Sequence, residues 1–474
     1  MINSPSINSI KSALKKIWGY EDFRSPQEEI ISSLISQQDA LVIMPTGGGK
    51  SICFQLPALM QTGLTLVVSP LVALMENQVK ELRDRNLPAA LLHSELPSQQ
   101  KWQTLQLLDR QQLRLLYLSP ETLLSPKVWE KLCNPQLQIN GIILDEAHCL
   151  VQWGDTFRPA YRRLGTVRPA LLKCKPQGTK IAIAAFTATA DIEAQKTITQ
   201  VLQLQKPATF KQNPYRRNLH LKVQIAWTPK GRKQQLLDVI KAKPEQTGLI
   251  YVRTRRDSEK LAEWLTNLGY KTAAYHAGLS PEERREIENS WLSSKIPFVV
   301  CTSAFGMGIN QPHVRWVVHF HAPLLLSEYV QEIGRAGRDG EDSIALMLIS
   351  EPTGWLDPED KQRQRFFTEK MRSHYSSAQK LAQKLPIQGE VNSENAIALS
   401  LIHSANQLDF LDPFHYQIHP PVKIQPPAQF PAIQQMVKYL TTKQCRWQYL
   451  LNAFGFGTEA LNMHCGHCDN CRYI

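Results

Sequence analysis

The stretch Met44-Pro45-Thr46-Gly47-Gly48-Gly49-Lys50-Ser51 constrains the fold more than any other. The apolar run Leu41-Val42-Ile43 leads in and predicts a buried strand, and residues 51–61 lead out and predict a helix. A glycine-rich turn from strand to helix aims backbone N–H groups into one concavity, and the helix N-terminus adds positive partial charge. Such a turn is a phosphate cradle, lined here by Thr46, Gly47, Gly48 and Gly49. Lys50 is placed to reach the β- and γ-phosphates of a nucleotide, and the Ser51 hydroxyl to hold Mg²⁺. The strict pattern has glycine where Met44 stands, so the match is to the Gly-Lys-Ser tail with two extra glycines. The competing reading is a tight βα turn that only packs.

Charge narrows the partners. The 474 residues hold 54 Lys+Arg against 42 Asp+Glu, a net charge of +12. A surplus of that size favours a polyanion, either nucleic acid or an anionic membrane. The longest apolar stretch, residues 64–75, is broken by Ser69-Pro70 and falls short of the ~20 residues a spanning helix needs, so no membrane partner is expected. Residues 1–10 are polar and lack the apolar core of a signal peptide, which points to the cytoplasm. Cysteines there are expected to be reduced. Cys53, Cys133, Cys149, Cys174 and Cys301 are scattered singly and read as small core residues.

Further chemistry surrounds the cradle. Ser25-Pro26-Gln27-Glu28 predicts a capping box, with Pro26 at the first helical position. Tyr20, Arg24 and Gln27 then converge on one helix start, where a ring and a guanidinium can stack a purine and an amide can pair with adenine. Apolar runs at 66–68, 115–118 and 141–144 predict parallel strands. The last of these delivers Asp145 and Glu146, one carboxylate to hold Mg²⁺ through water and one to orient or deprotonate an attacking water. Residues 149–161 follow, rich in aromatics; Trp153 and Phe157 either stack on bases or plug the core.

Residues 206–218 are polar, basic and proline-bearing, and read as a linker. Strand-helix alternation restarts at 249–252 and 273–278 and continues through 298–302 and 316–320, without a second Gly-Lys-Ser. Arg335 and Arg338 are three apart, so a helical turn would place them on one face, either as arginine fingers or as surface salt-bridge partners. Residues 359–385 predict a helix. Residues 386–431 read as an insertion with a helix at 395–406 and a hairpin at 408–418, a packing decoration or a reduced winged-helix-like module. Cys445, Cys465, Cys468 and Cys471 have the spacing of a tetrahedral Cys₄ zinc site, with His464 and His467 as alternative ligands.

The order of these blocks, from Tyr20 through Asp145-Glu146-Ala147-His148, Tyr275-His276-Ala277-Gly278 and residues 304–310 to Gly334–Gly340, resembles superfamily 2 helicases, and within them the RecQ family. The resemblance implies an α/β chain: two RecA-like parallel-sheet domains in tandem, 1–207 binding ATP and 208–350, followed by a mainly helical zinc-binding module, 351–474, with the insertion at about 386–431. It implies a DNA-stimulated ATP hydrolase that unwinds DNA in the 3′ to 5′ direction for repair, recombination and replication. ATP, Mg²⁺ and Zn²⁺ are the expected cofactors. Single-stranded and tailed duplex DNA are the expected partners of a nucleoid-associated monomer, with protein partners left open. The resemblance places Tyr20, Arg24 and Gln27 on adenine, Lys50 and Ser51 on phosphates and Mg²⁺, Asp145 and Glu146 on metal and water, and Arg335 and Arg338 on the γ-phosphate. Trp153, Phe157 and Arg158 would couple DNA contact to hydrolysis. An RNA helicase, or a strand-annealing protein with a regulatory ATP site, is the rival. Two positions depart from the usual family pattern: Asp155-Thr156 stands where His-Asp is usual, and His321 where Asp is common.

Overall fold

The computed structural model describes residues 6–152, 159–305, 311–427 and 430–472. The chain forms two compact units, one of Met1–Gln212 with Met371–Pro426 and one of Asn213–Lys370 with Pro427–Ile474.

The first unit is built on a seven-stranded sheet in the order Ala89–Leu92, Leu115–Leu118, Leu64–Val68, Ile139–Leu144, Ala182–Thr187, Ala40–Ile43, Ala208–Lys211. Every neighbouring pair is parallel. Six of these strands are buried along their whole length, which is why they read as mostly apolar runs. Helices Gln27–Ile35, Lys50–Met60 and Val72–Asp84 cover one face, burying Ile30, Phe54, Met75 and Val79 against Tyr117 and Phe186. Because the strands are parallel, the cradle after Ile43 and the carboxylates after Leu144 leave the same edge of the sheet, the edge that binds ligands in folds of this kind.

The predicted linker is a correction. Residues 208–211 form the edge strand of this sheet, paired with Ala40–Ile43. Edge strands bury only alternate residues and tolerate charge, so Ala208–Lys211 lacks the continuous apolar run that marked its neighbours.

The segment 371–426 also belongs to this unit. Helix Ala396–Ser404 packs on a three-stranded antiparallel sheet, in which the expected hairpin of Leu408–Phe410 and His415–Ile418 is joined by Gln388–Glu390. Leu399, Ile402, Tyr416 and Ile418 form its core with Ala378 and Ala382 of helix Glu359–Ala382. The hairpin turn docks on the parallel-sheet body: Phe414 meets Trp129 edge-on at 5.5 Å, and Arg163 donates to the Pro413 carbonyl at 2.9 Å.

The second unit carries a six-stranded parallel sheet in the order Thr272–Tyr275, Phe298–Cys301, Gly248–Tyr251, Trp316–His319, Ser343–Ser350, Leu219–Ala226. Helices Pro431–Thr441 and Arg446–Ala453 seal part of it. Trp447 donates its indole N–H to the Leu219 carbonyl at 3.2 Å, and Tyr439 donates to the Tyr329 hydroxyl at 3.1 Å.

Cys53, Cys149 and Cys301 are buried as expected. Cys133 and Cys174 are not isolated: they meet, half-buried, with sulfurs 2.9 Å apart. The five cysteines are therefore not all single core residues. Among the described residues no helix is long and apolar enough to cross a membrane.

Candidate nucleotide site, arginine turn and metal centre

The cradle is set by backbone geometry. Gly47 (φ 83°) and Gly49 (φ 79°) adopt the left-handed conformation that glycine enters without strain. Met44 is fully buried, and its Cε would lie 3.3 Å from a Cβ added at Gly48. The departure from the strict pattern therefore sends a side chain into the core under the turn. Lys50 Nζ donates to the Met44 carbonyl at 3.4 Å, which holds the amine over the turn.

The predicted capping box does not form. The helix begins at Gln27 with Pro26 as its cap, and proline has neither the hydroxyl nor the N–H that the box needs. Gln27 takes over: its Oε1 accepts from the Arg24 amide at 2.9 Å, and its Nε2 donates to the Gly48 and Gly49 carbonyls at 3.2 and 3.3 Å. Gln27 thus ties the Arg24 backbone to the glycine turn, while the side chains of Tyr20 and Arg24 are exposed.

Asp145 and Glu146 are both buried at the end of strand Ile139–Leu144. Glu146 has φ 53°, in the left-handed region that non-glycine residues enter uncommonly. Gln78 donates to Asp145 Oδ2 at 3.5 Å, and the Glu146 amide to Asp145 Oδ1 at 3.1 Å. Burial and the adjacent Glu146 raise the Asp145 carboxyl to about 6, against the opposing pull of the Lys50 ammonium. Lys50 and the carboxylates therefore share one electrostatic site. The sequence did not single out His148 and Thr187 as partners of the pair. His148 Nδ1 lies 3.2 Å from Glu146 Oε2 and 3.0 Å from the Thr187 hydroxyl. Their signals were present, since His148 follows the acidic pair directly and Thr187 closes a neighbouring strand.

Arg335 and Arg338 do not lie on a helical face. Helix Leu326–Ile333 stops at Gly334, and both arginines occupy the turn that follows, where Gly337 has φ 60°. Other side chains hold this turn. Arg216 donates to the Ala336 and Ile333 carbonyls at 2.7 and 3.1 Å, and Asn218 to the Gly337 and Glu341 carbonyls, both at 2.8 Å. Arg335 is 6% exposed, which is not the environment of a surface salt bridge. Burial and then the cations Arg335 and Arg216 lower Arg338 to about 10. Three guanidiniums thus crowd one turn of the second unit.

The four C-terminal cysteines converge, with all their sulfurs within 4.8 Å of one another. Backbone amides of Cys465, Cys468 and Arg446 donate to the sulfurs of Cys445, Cys465 and Cys468 at 3.4, 3.3 and 3.5 Å, a pattern that favours thiolates. Arg446 pairs with Asp469 at 2.9 Å, and Asp469 accepts from the Val223 amide at 3.0 Å, which fixes the cluster to strand Leu219–Ala226. These residues fit zinc, as four sulfurs at tetrahedral reach from a reduced chain. The alternative ligands fall away: His464 is exposed, and His467 turns toward Tyr215 at 3.4 Å.

Comparison with known proteins follows the same division. Residues 24–198 match the DEAD/DEAH box helicase family, 231–340 the helicase conserved C-terminal domain, and 423–472 the RecQ zinc-binding family. The ATP-dependent DNA helicase RecQ of Synechocystis sp. is 51% identical over 471 residues, covering 98% of each chain. This chain belongs to the RecQ family. The RecQ helicase of Bacillus subtilis is 32% identical over 98% of this chain and 67% of its own length, and that of Haemophilus influenzae is 38% identical over 77% and 59%. Among solved structures, the DEAD-box helicase Mss116 bound to single-stranded RNA gives a TM-score of 0.61 at 19% identity, over 72% of this chain and 73% of that one, which shows the shared fold.

In this RecQ chain His321, one of the two departures noted in the sequence, is buried with Nε2 3.2 Å from Glu359 Oε2. Arg363 spans Asp257 and Glu359 beside it, at 3.2 and 3.3 Å. Burial and then Arg363 push the imidazole well below its ordinary pKa, so it is neutral here. Trp153, Asp155, Thr156, Phe157 and Arg158 lie outside the described residues, as do residues 306–310.

Proposed function

We propose that this RecQ chain is an ATP-dependent DNA helicase that moves 3′ to 5′ along single-stranded DNA and unwinds tailed duplexes in the service of repair, recombination and replication. The observation that carries the reading is the glycine cradle with Lys50 and the buried Asp145–Glu146 pair, which leave the same edge of one parallel sheet. Lys50 and the amides of residues 46–51 bind the phosphates. Ser51 and Asp145 would hold Mg²⁺, which supplies neutralising charge to the phosphates. Glu146, oriented by His148 and Thr187, takes the proton of the attacking water. Tyr20, Arg24 and Gln27 recognise adenine. Arg335 and Arg338 stabilise charge on the transferring phosphoryl group. Zinc at Cys445, Cys465, Cys468 and Cys471 braces the second sheet. Trp153, Phe157 and Arg158 couple DNA to hydrolysis. The protein acts as a nucleoid-associated monomer in the cytoplasm.

The test is unwinding of 3′-tailed, 5′-tailed and RNA duplexes with and without ATP. ATP-dependent opening of the 3′-tailed DNA alone supports the reading. Preferential opening of RNA, or annealing without unwinding, replaces it with one of its rivals.

A further inference from the structure

Two of the cysteines outside the zinc centre have been brought together from positions 41 apart in the chain, with Cys174 Sγ 2.9 Å from Cys133 Sγ. Each caps a helix C-terminus: Cys133 ends helix Pro126–Leu132, and Cys174 ends helix Val167–Lys173. Both are half-buried rather than sealed in the core. Beside them Lys175 is buried, and its ammonium donates to the carbonyls of Leu132, Asn134 and Leu137 at 2.6, 2.6 and 2.8 Å. That lysine gathers the chain around Cys133, and its charge acts on the thiol. A disulfide needs sulfurs about 2.05 Å apart, so bonding here asks less than an ångström of further approach.

We propose that Cys133 and Cys174 form a reversible disulfide that staples the first unit under oxidising conditions. The oxidant is a low-molecular-weight disulfide. One protein thiol loses its proton and attacks that reagent, forming a mixed disulfide and releasing one small thiolate. The second protein thiol, also deprotonated, then attacks the bonded protein sulfur. The protein disulfide forms, and the second small thiolate leaves. Two protein thiols are oxidised, one reagent disulfide is reduced to two thiols, and protons are conserved between them. A dithiol reductant reverses the exchange.

The stretch so closed carries strand Ile139–Leu144, Asp145, Glu146 and His148. Closing it constrains the unfolded chain while leaving the native contact nearly as it is. The staple therefore raises stability without reshaping the carboxylate site. Burial and then the Cys174 contact push the Cys133 thiol up to about 12, which lowers its thiolate fraction and slows its part in the exchange.

The test equilibrates the full-length, zinc-loaded protein in buffers of varied reduced-to-oxidised glutathione ratio, blocks free thiols and maps the peptides. The expected result is one linked peptide pair joining Cys133 to Cys174, lost on dithiothreitol treatment. The linked protein should melt roughly 5–10 °C higher in its first unit, with that rise absent in Cys133→Ser and Cys174→Ser. Free thiols at both positions in the most oxidising buffer, glutathione held singly on either one, or a link without a rise in melting temperature would each overturn the proposal.

Discussion

The two parallel sheets are close in architecture and opposite in chemistry. Both bury their central strands along their whole length. The first sheet presents a glycine cradle, one lysine and two crowded carboxylates. The second has no Gly-Lys-Ser, and its three crowded guanidiniums stand ahead of its strands, Arg335 and Arg338 on the turn leading into Ser343–Ser350 and Arg216 before Leu219–Ala226. Their appendages differ too. Four cysteine sulfurs converge beside helices Pro431–Thr441 and Arg446–Ala453 on the second sheet, whereas the docking of the 371–426 segment on the first includes an edge-on ring contact and a hydrogen bond from Arg163 to the Pro413 carbonyl. The fold is a shared frame, and what each unit does is set by a few residues at its strand ends.

The largest effect should come from the arginine turn. Arg335→Ala or Arg338→Ala is expected to lower ATP turnover about 10³-fold or more while leaving ATP affinity nearly intact. Arg→Lys should not rescue, because a point charge does not replace the planar fork. Single-turnover kinetics beside equilibrium nucleotide binding measures both; matched losses of binding and turnover would remove the division of labour between the units.

The first unit should answer differently. Lys50→Ala is expected to lose nucleotide binding and hydrolysis together, while Glu146→Gln should bind ATP normally and lose about 10²–10³-fold in turnover. Equal loss of binding in both would show that the cradle and the carboxylates do not have separate tasks.

The appendages come next. Cys468→Ser removes a ligand from the zinc centre and with it folding free energy of the second unit. Limited proteolysis should release the region around Trp447 and Tyr439, which pack on Leu219 and Tyr329, and should spare residues 6–152. Metal analysis of the intact protein showing no zinc would refute the centre.

Much of this was legible because buried parallel strands have a plain signature. Residues 115–118 form a strand over the whole expected run, and the runs at 298–302 and 316–320 form strands that stop one residue short, at Cys301 and His319. Edge strand Ala208–Lys211 was hidden by its alternating burial, and helix Leu326–Ile333 ends before the arginines because Gly334 breaks its period. The cradle was legible as a motif, but the Gln27 clasp on Gly48 and Gly49 bridges more than twenty positions, which no local pattern encodes. The same holds for the meeting of Cys133 with Cys174. Local spacing reveals strands, caps and chelates, whereas side-chain partners distant in sequence appear only when the chain is folded.

The smallest expected effect tests the looser appendage. His403 sits on helix Ala396–Ser404 with its ring 5.0 Å from Phe410. Burial, and then the Arg162 cation, lower it from the ordinary 6.5 to about 4, against a weaker opposing pull from Asp409. The folded protein therefore holds a neutral ring where the unfolded chain would already be protonated. Between pH 6.5 and 4 the unfolded state binds more protons, so stability rises with pH across that window and is lost as pH falls through it. A partly exposed group of this kind contributes on the order of 1–2 kcal/mol, or a few degrees in melting temperature. His403→Gln cannot take up the proton. The difference in melting temperature between wild type and His403→Gln should therefore drift by a few degrees against wild type on acidification from pH 6.5 to 4, with the drift confined to the first unit. The zinc-braced second unit has no stake in His403 and should melt identically in the two proteins. A constant difference across that range, or a drift in the second unit, would break the contrast between a docked appendage and a chelated one.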